Sequence, residues 1–474
     1  MRVIEVTNPA TGQTVGRVCK CTADDAREAF ARARAAQPAW AATPARKRAA
    51  VFRRFALLVA QHRDELLDTI QDENGKNRAS ALEEVADVAA TALYYAQTGP
   101  SQLKTRRRFT PAPLLTTARE QRPPKGVVGV IAPFNYPLAL AVSDAIPAMV
   151  AGNAVVLKPD LRTPLSALKA AGILREAGLP DGVFNVVPGD GEDVGQAIVE
   201  ECDFLMFTGS TATGTRLAQQ AAARLIDYSM ELGGKNAMIV AADANLDRAA
   251  EAAVHACFAN SGQLCISIER IYVERPAAER FIPAFVEHAA SMRVGPGRGW
   301  DVDMGAQISP EHTDRIEAFV NDALAKGATA LTGGRRTGPA FFEPTVLIDV
   351  PPDADLHSQE VFGPVVYVEV VDTLEEAVAR ANDTDYGLNS SVWAAPATAR
   401  RLAGALESGT VNINEGYAPA WMALGAPMGG WKRSGMGRRH GEHGITKYTE
   451  PRNVTEMRWT TMSGLLGRAA RWLG

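Results

Sequence analysis

The sequence predicts an α/β fold with a doubly wound parallel sheet, and three observations carry that prediction. Short apolar runs recur from Lys125 to about Val240, as GVVGVIAP, NAVVLKP, VFNVVPG, DFLMFTG and NAMIVAA, with Ala-rich helical stretches between them. The connections are too long for hairpins, so neighbouring strands are expected to run parallel with helices on both faces. After residue 245 the alternation resumes through RIYVE, TALTGG, VVYVEVV, SSVWA and TVNIN, which predicts a second α/β unit; a chain of 474 residues exceeds one ordinary core and suits two or three domains.

Each element has a local reason. The opening MRVIEVTNPATGQTVGRV reads as short strands broken by a Pro-Ala-Thr-Gly turn, with no apolar leader core, so no signal peptide is expected. Thr22 and Asp25 mark a helix start, expected to run to about Pro38. Val51, Phe52, Phe55, Leu58 and Val59 share one face of a second helix that Asn74-Gly75 ends, and Ser80 with Glu83 forms a capping box for a third. The most apolar long segment, Leu138 to Val150, is interrupted by Asp144 and Pro147 and falls short of a membrane span. Lys104 to Arg108 reads as a solvated linker, and the tail MSGLLGRAARWLG as a frayed end rather than a membrane anchor.

Fifty Lys and Arg against 54 Asp and Glu give a net charge of −4, which offers no long-range field for nucleic acid or an anionic membrane. Small molecules and other proteins are the expected partners. The five cysteines, Cys19, Cys21, Cys202, Cys257 and Cys265, are odd in number and scattered, which argues against a disulfide framework or a metal site and for a reducing cytoplasm.

The chemistry-bearing candidates sit at strand ends, beyond which ligands bind in such folds. In NSGQLCISIER, Cys265 follows Ser261, Gly262 and Gln263, residues that make loops rather than cores, so its thiol looks the most accessible of the five. FTGSTATG, Phe207 to Gly214, leaves a strand for a helix whose N–H groups suit a phosphate, although a packing turn has the same composition and the G-x-G-x-x-G spacing is absent. Lys158 is placed for ribose hydroxyls or is a surface lysine. Glu231 in MELGGKN is a carboxylate at a sheet edge or a solvated turn residue. Asn135 in APFNYP is an oxyanion donor or an Asx turn, and QEVFGPVV sets Glu360 and Phe362 on a bend.

Taken together, Phe134-Asn135, Lys158-Pro159, Phe207-Thr208-Gly209-Ser210, Glu231-Leu232-Gly233-Gly234-Lys235, Gly262-Gln263-Leu264-Cys265 and Glu360-Val361-Phe362-Gly363-Pro364 resemble the aldehyde dehydrogenase superfamily, in its motif order, from near residue 5 to near residue 455. The resemblance implies a Rossmann-like cofactor domain over 1–105 and 125–233, a catalytic domain over 234–433, and oligomerisation strands at 106–124 and 446–458 that serve a homodimer or homotetramer. It implies Cys265 as nucleophile, Glu231 as general base and Asn135 as oxyanion donor. Glu360 would hold the nicotinamide ribose, Phe362 pack the ring and Ser210 meet the pyrophosphate, with Lys158, Phe134, Phe207, Gly209, Leu232, Arg162 and Gly189 completing the cofactor groove.

The residues also make chemical sense. An aldehyde gives up hydride readily only after a nucleophile makes its carbonyl a tetrahedral alkoxide, for which a thiolate suits. A free thiol has a pKa of about 8.5, so a nearby cation or helix N-terminus is expected to raise the thiolate fraction of Cys265. The thioester left behind is hydrolysed if a carboxylate activates water. Relatives that pass the acyl group to coenzyme A lack a glutamate at this place, so Glu231 argues for a carboxylic acid product. NAD-preferring relatives often carry a glutamate where this chain has Leu161, and Arg162 follows; NADP is expected, with NAD possible and Asp160 pulling the other way. The wording looks most like bacterial NADP-type succinate-semialdehyde dehydrogenases, yet Ser143 and Ala259 stand where those enzymes have arginines, leaving Arg438 and Arg439 as substitutes and a medium aliphatic or aromatic aldehyde as the alternative. A thiol hydrolase using His255, or a non-catalytic structural protein of the same fold, are the readings from other classes.

Overall fold

The computed structural model describes residues 3–459 and 461–473. An antiparallel hairpin, Val3–Thr7 with Thr14–Cys19, opens the chain. The first helix, Ala23–Ala42, begins on the Thr22–Asp25 capping box but runs through Pro38 instead of ending there. Proline removes one backbone hydrogen bond, while the last turn is anchored by buried Trp40, whose indole N–H donates to the Met149 carbonyl at 2.8 Å. The next stretch divides at His62 into helices Ala45–Gln61 and Arg63–Asn74, and Gly75 ends the second in a left-handed conformation at φ 77°. The following helix, Arg78–Gln102, is capped by Asn77 rather than by Ser80. The Ser80 hydroxyl is occupied elsewhere, accepting from the Asn260 N–H at 3.1 Å.

Two large sheets follow. The first has the order Gly435–Met436, Asp227–Glu231, Phe204–Thr208, Val127–Ile131, Ala154–Lys158, Phe184–Val186, parallel except for the short Gly435–Met436 edge. The chain leaves Val127–Ile131 to one side and later returns to its other side, so the topological switch lies at the carboxyl end of that strand. The central strands are buried on both faces, which explains their unbroken apolar runs.

The second sheet has the order Thr329–Thr332, Thr345–Ile348, Val365–Val371, Ile268–Glu274, Asn236–Val240, Asn389–Trp393, Thr410–Ile413, with only Thr329–Thr332 antiparallel. The run NAMIVAA, grouped by pattern with the first set of strands, therefore belongs to the second sheet, where it pairs with Ile268–Glu274 and Asn389–Trp393. Hydrophobic periodicity identifies a buried strand without saying which sheet it joins.

A third, antiparallel sheet joins Arg452–Met457, Thr116–Gln121 and Arg106–Arg108. The basic stretch is thus a strand and not a linker, with Arg108 paired to Glu120 and Arg106 to Glu442. The tail forms a helix, Met462–Leu473, rather than a frayed end. Among the described residues no helix is long and apolar enough to cross a membrane, and no cluster of His, Cys, Asp and Glu could hold a metal ion.

Candidate active site

A cavity of about 420 Å³ opens at the carboxyl end of the first sheet. Four strand ends supply its floor, bringing Phe134 and Asn135, Lys158, Phe207 to Ser210, and Glu231 with Leu232 to one place; Cys265, Glu360 and Phe362 face them. Gly189 is not in this lining. A Cβ there would stand 2.2 Å from Val194 and 2.9 Å from the Cys21 carbonyl oxygen, and Gly191 and Gly195 line the cavity instead.

Cys265 follows three consecutive left-handed residues, Asn260, Ser261 and Gly262, at φ 52°, 58° and 71°. Such backbone persists in residues bearing a Cβ only when the surroundings hold it. Here Asn260 donates through Nδ2 to the carbonyls of Asn135 and Gln263, Ser261 donates to the Gly305 carbonyl, and Gln263 Oε1 accepts from the Ile308 N–H. Gly262 is required for space: a Cβ there would stand 2.1 Å from the Gly363 carbonyl oxygen. The loop carrying the thiol is thereby pressed against the loop carrying Glu360 and Phe362.

The thiol itself differs from expectation in two ways. Cys19 is the exposed cysteine, and Cys265 is only partly exposed. Burial pushes the Cys265 thiol up to about 12, the negative fields of Glu360 and Glu231 add to that, and Arg439 opposes it. Desolvation, more than any one neighbouring charge, disfavours the thiolate.

Glu231 ends its strand almost fully buried, and its Oε1 has no hydrogen-bond partner among the described residues. Burial raises its carboxyl to about 7, partly offset by Arg439 and Lys447. Glu360 is raised to about 8, by burial first and then by Glu269, and its Oε1 accepts from the Gly234 N–H at 3.0 Å. Gly233 makes room for that approach, since a Cβ would fall 2.2 Å from Glu360 Oε2.

Asn135 is buried and its Nδ2 donates to the Gln263 carbonyl at 2.9 Å, two residues before the cysteine. Residues that sequence reasoning missed hold it there. The Lys76 ammonium donates to Glu84 Oε1 at 2.7 Å and to the Asn135 carbonyl at 2.6 Å, and Glu84 Oε2 accepts from the N–H groups of Leu138 and Ala139. Under the opposite wall, Lys235 donates to Glu269 at 2.6 Å, while Glu269 accepts from the N–H groups of Val361 and Phe362. Phe362 sits at φ 56°, 6.0 Å from the Phe134 ring, with its carbonyl 2.8 Å from His312 Nε2. The available signal was the repeated Gly-Lys-Asn, Gly75 to Asn77 and Gly234 to Asn236.

The remaining candidates divide by their partners. Ser210 caps helix Thr211–Ala223 and accepts from the Thr213 N–H at 3.3 Å, leaving the helix N-terminus directed at the cavity. Among the described residues, buried Lys158 donates only to the Pro159 carbonyl, at 3.3 Å. Arg162 is held by Asp160 through two hydrogen bonds of 2.8 Å and lies over the Phe134 ring. Arg439 makes a buried bidentate pair with Asp144 and so offers no open fork, Arg438 donates through Nη1 to the Gly430 and Gly437 carbonyls, and Ser143 donates to Asp87. His255 is bonded to Tyr417 and paired with Glu83, away from this lining. A further cavity of about 360 Å³ is walled by Glu83, Asp87, Tyr417, Trp421, Met422 and Leu424; the Trp421 ring is 6.1 Å from that of Tyr136, next to Asn135.

A helix N-terminus, a buried ammonium, side-chain-free glycines and an unpartnered carboxylate oxygen beside a thiol form a donor set that fits a phosphate-bearing dinucleotide. Comparison with known proteins agrees. The model of the "Aldehyde dehydrogenase family" matches residues 1–454. A Mycobacterium tuberculosis protein named "Putative succinate-semialdehyde dehydrogenase NADP(+) 2" is 52% identical over 452 residues, 94% of this chain and 87% of its own length. The mitochondrial succinate-semialdehyde dehydrogenase of Oryza sativa is 36% identical, over 95% of this chain and 85% of its own. Among solved structures, an E. coli NADP dependent enzyme superposes with a TM-score of 0.92 at 35% identity, covering 96% of this chain and 95% of that one. The NAD+ complex of a Bacillus cereus aldehyde dehydrogenase gives 0.92 at 34% identity, covering 96% and 94%.

Proposed function

Because this chain belongs to the aldehyde dehydrogenase family, we propose that Cys265, Glu231 and Asn135 together oxidise an aldehyde to its carboxylic acid, with NADP preferred and NAD possible as acceptor. The observation that carries this reading is the unpartnered, buried Glu231 Oε1 in the same cavity as the Cys265 thiol. The nicotinamide, when bound, supplies the hydride acceptor. Cys265 gives its proton to solvent water and its sulfur adds to the aldehyde carbon, opening the carbonyl π bond to a thiohemiacetal alkoxide. Asn135 Nδ2, with the Cys265 N–H, stabilises the alkoxide oxygen. After oxidation the thioester stays on Cys265, and Glu231 takes a proton from water so that hydroxide attacks the acyl carbon and the thiolate leaves. A group with a pKa of about 7 can accept that proton at neutral pH and return it. Lys158, Ser210, Glu360 and Phe362 bind and orient the cofactor, assisted by Phe134, Phe207, Gly209 and Leu232.

The names of the relatives support succinate semialdehyde as substrate. A second reading rests on the further cavity: its walls are aromatic, apolar and acidic and carry no guanidinium, which suits an uncharged medium aliphatic or aromatic aldehyde. Steady-state rates with succinate semialdehyde, hexanal and benzaldehyde separate the two, and kcat/KM for NADP against NAD tests the cofactor; no reduced cofactor with any aldehyde would overturn the whole reading.

The domain limits proposed are 1–105 with 125–233 for cofactor binding, 234–433 for catalysis, and 106–124 with 446–458 for assembly. The third sheet supports assembly into a homodimer or homotetramer, because strand Arg452–Met457 is exposed along its whole length and pairs on one side only. Five free cysteines suit a reducing cytoplasm.

A further inference from the structure

An NADP-preferring site must meet a phosphate monoester on the adenosine ribose, a dianion near neutral pH that calls for an unengaged cation. Four cations line the principal cavity, Lys158, Arg162, Arg216 and Arg315. Arg162, the sequence candidate, is neutralised by its two-pronged contact with Asp160. Arg315 donates to the Glu360 carbonyl at 2.9 Å, which ties it to the nicotinamide-binding loop. Lys158 is buried, and burial lowers the proton affinity of its amine. Arg162, Arg216 and Arg315 are all exposed, and of the four cations Arg216 alone has no hydrogen bond or ion pair among the described residues.

Its position is set by helix Thr211–Ala223. Thr213, Arg216 and Leu217 follow at the i, i+3, i+4 spacing and all line the cavity, so one helix face runs along it. The N-terminus of that helix, at Ser210, suits the pyrophosphate; Arg216 lies between one and two turns further along the helix. The wall that includes Gly191 and Gly195 carries no side chain at those two positions.

We propose that Arg216 is the residue that binds the 2′-phosphate of NADP and so sets the cofactor preference, while Arg162 does not. The guanidinium forms charge-assisted hydrogen bonds to the phosphate oxygens, and its planar fork suits two at once. This inference rests on the NADP reading of the same site.

The test compares Arg216→Ala and Arg216→Lys with the wild-type enzyme, using calorimetric binding of adenosine 2′,5′-bisphosphate and of 5′-AMP alongside kcat/KM for NADP and NAD. Arg216→Ala is expected to weaken the bisphosphate and raise KM for NADP by about 10-fold or more. Binding of 5′-AMP and KM for NAD stay within about twofold, and Arg216→Lys recovers part of the loss. A bisphosphate preference that survives Arg216→Ala overturns the assignment of Arg216 and leaves the NADP reading standing. Equal weakening of both nucleotides overturns it as well, because the residue then only shapes the groove. A wild-type enzyme that binds the two nucleotides alike removes the NADP reading itself.

Discussion

Two buried lysine–glutamate pairs, Lys76 with Glu84 and Lys235 with Glu269, stand under opposite walls of the active-site cavity. Both lysines follow a glycine and precede an asparagine, both are almost inaccessible to solvent, and both glutamates accept from two backbone N–H groups of a functional loop. They differ in what they hold. Lys76 and Glu84 clamp the turn that carries Asn135, whereas Lys235 and Glu269 hold the bend that carries Phe362 beside Glu360. The asparagines diverge too: Asn77 caps a helix, while Asn236 donates to the carbonyls of Cys265 and Ser267. One electrostatic device thus supports the Asn135 turn and the Glu360–Phe362 bend separately, the oxyanion side and the cofactor side of the proposed site. Buried ion pairs are weak sources of net stability but costly to break singly, which suits a role in fixing geometry.

That comparison can be broken or sharpened by experiment. The largest effect is expected where the two walls meet: Cys265→Ala should abolish aldehyde-dependent cofactor reduction while leaving the thermal midpoint unchanged, and residual turnover would remove the nucleophile. Next come the pairs themselves. Lys76→Met and Lys235→Met each leave a buried carboxylate unpaired and should cost about 3–5 kcal/mol in denaturant unfolding. Their kinetics should then diverge, with Lys76→Met lowering kcat and Lys235→Met raising the cofactor KM; the same signature from both would dissolve the distinction.

Asn135→Ala tests the first wall directly, with an expected loss of about 3 kcal/mol of transition-state stabilisation in kcat. Glu231→Gln should slow steady-state turnover by about 10²-fold yet retain a rapid first turnover, seen as a burst of reduced cofactor, because the thioester forms and is not hydrolysed. The smallest effect is the pH dependence. Glu231 is raised to about 7, so its basic form accumulates as pH rises through that value. Thioester hydrolysis in the wild-type enzyme should therefore increase from pH 6 to 8 and lose that dependence in Glu231→Gln. An unchanged profile in the variant would assign the titration to another group.

Much of this was legible from residue order. The strand runs near Val128, Val156 and Leu205 announce themselves because a strand buried on both faces must be continuously apolar. Thr22, Gly75 and Ser210 act where their local turn chemistry says they should. The cap at Asn77 and the strand at Arg106–Arg108 were not legible, because the partners, Asn260 for Ser80 and Glu442 for Arg106, are remote in the chain.

The sequence by itself determined the alternation of strand and helix, since periodicity and turn preference are properties of neighbouring residues, while its motif order pointed to Cys265, Asn135, Glu231 and Glu360 only through the family resemblance. Only the tertiary structure decided that Asn236–Val240 joins the second sheet, that Arg162 and Arg439 are already paired while Arg216 is open, and that burial moves Cys265 and Glu231 away from their ordinary pKa values. Charge pairing and desolvation depend on which groups meet in space, and those groups stand up to hundreds of residues apart along the chain.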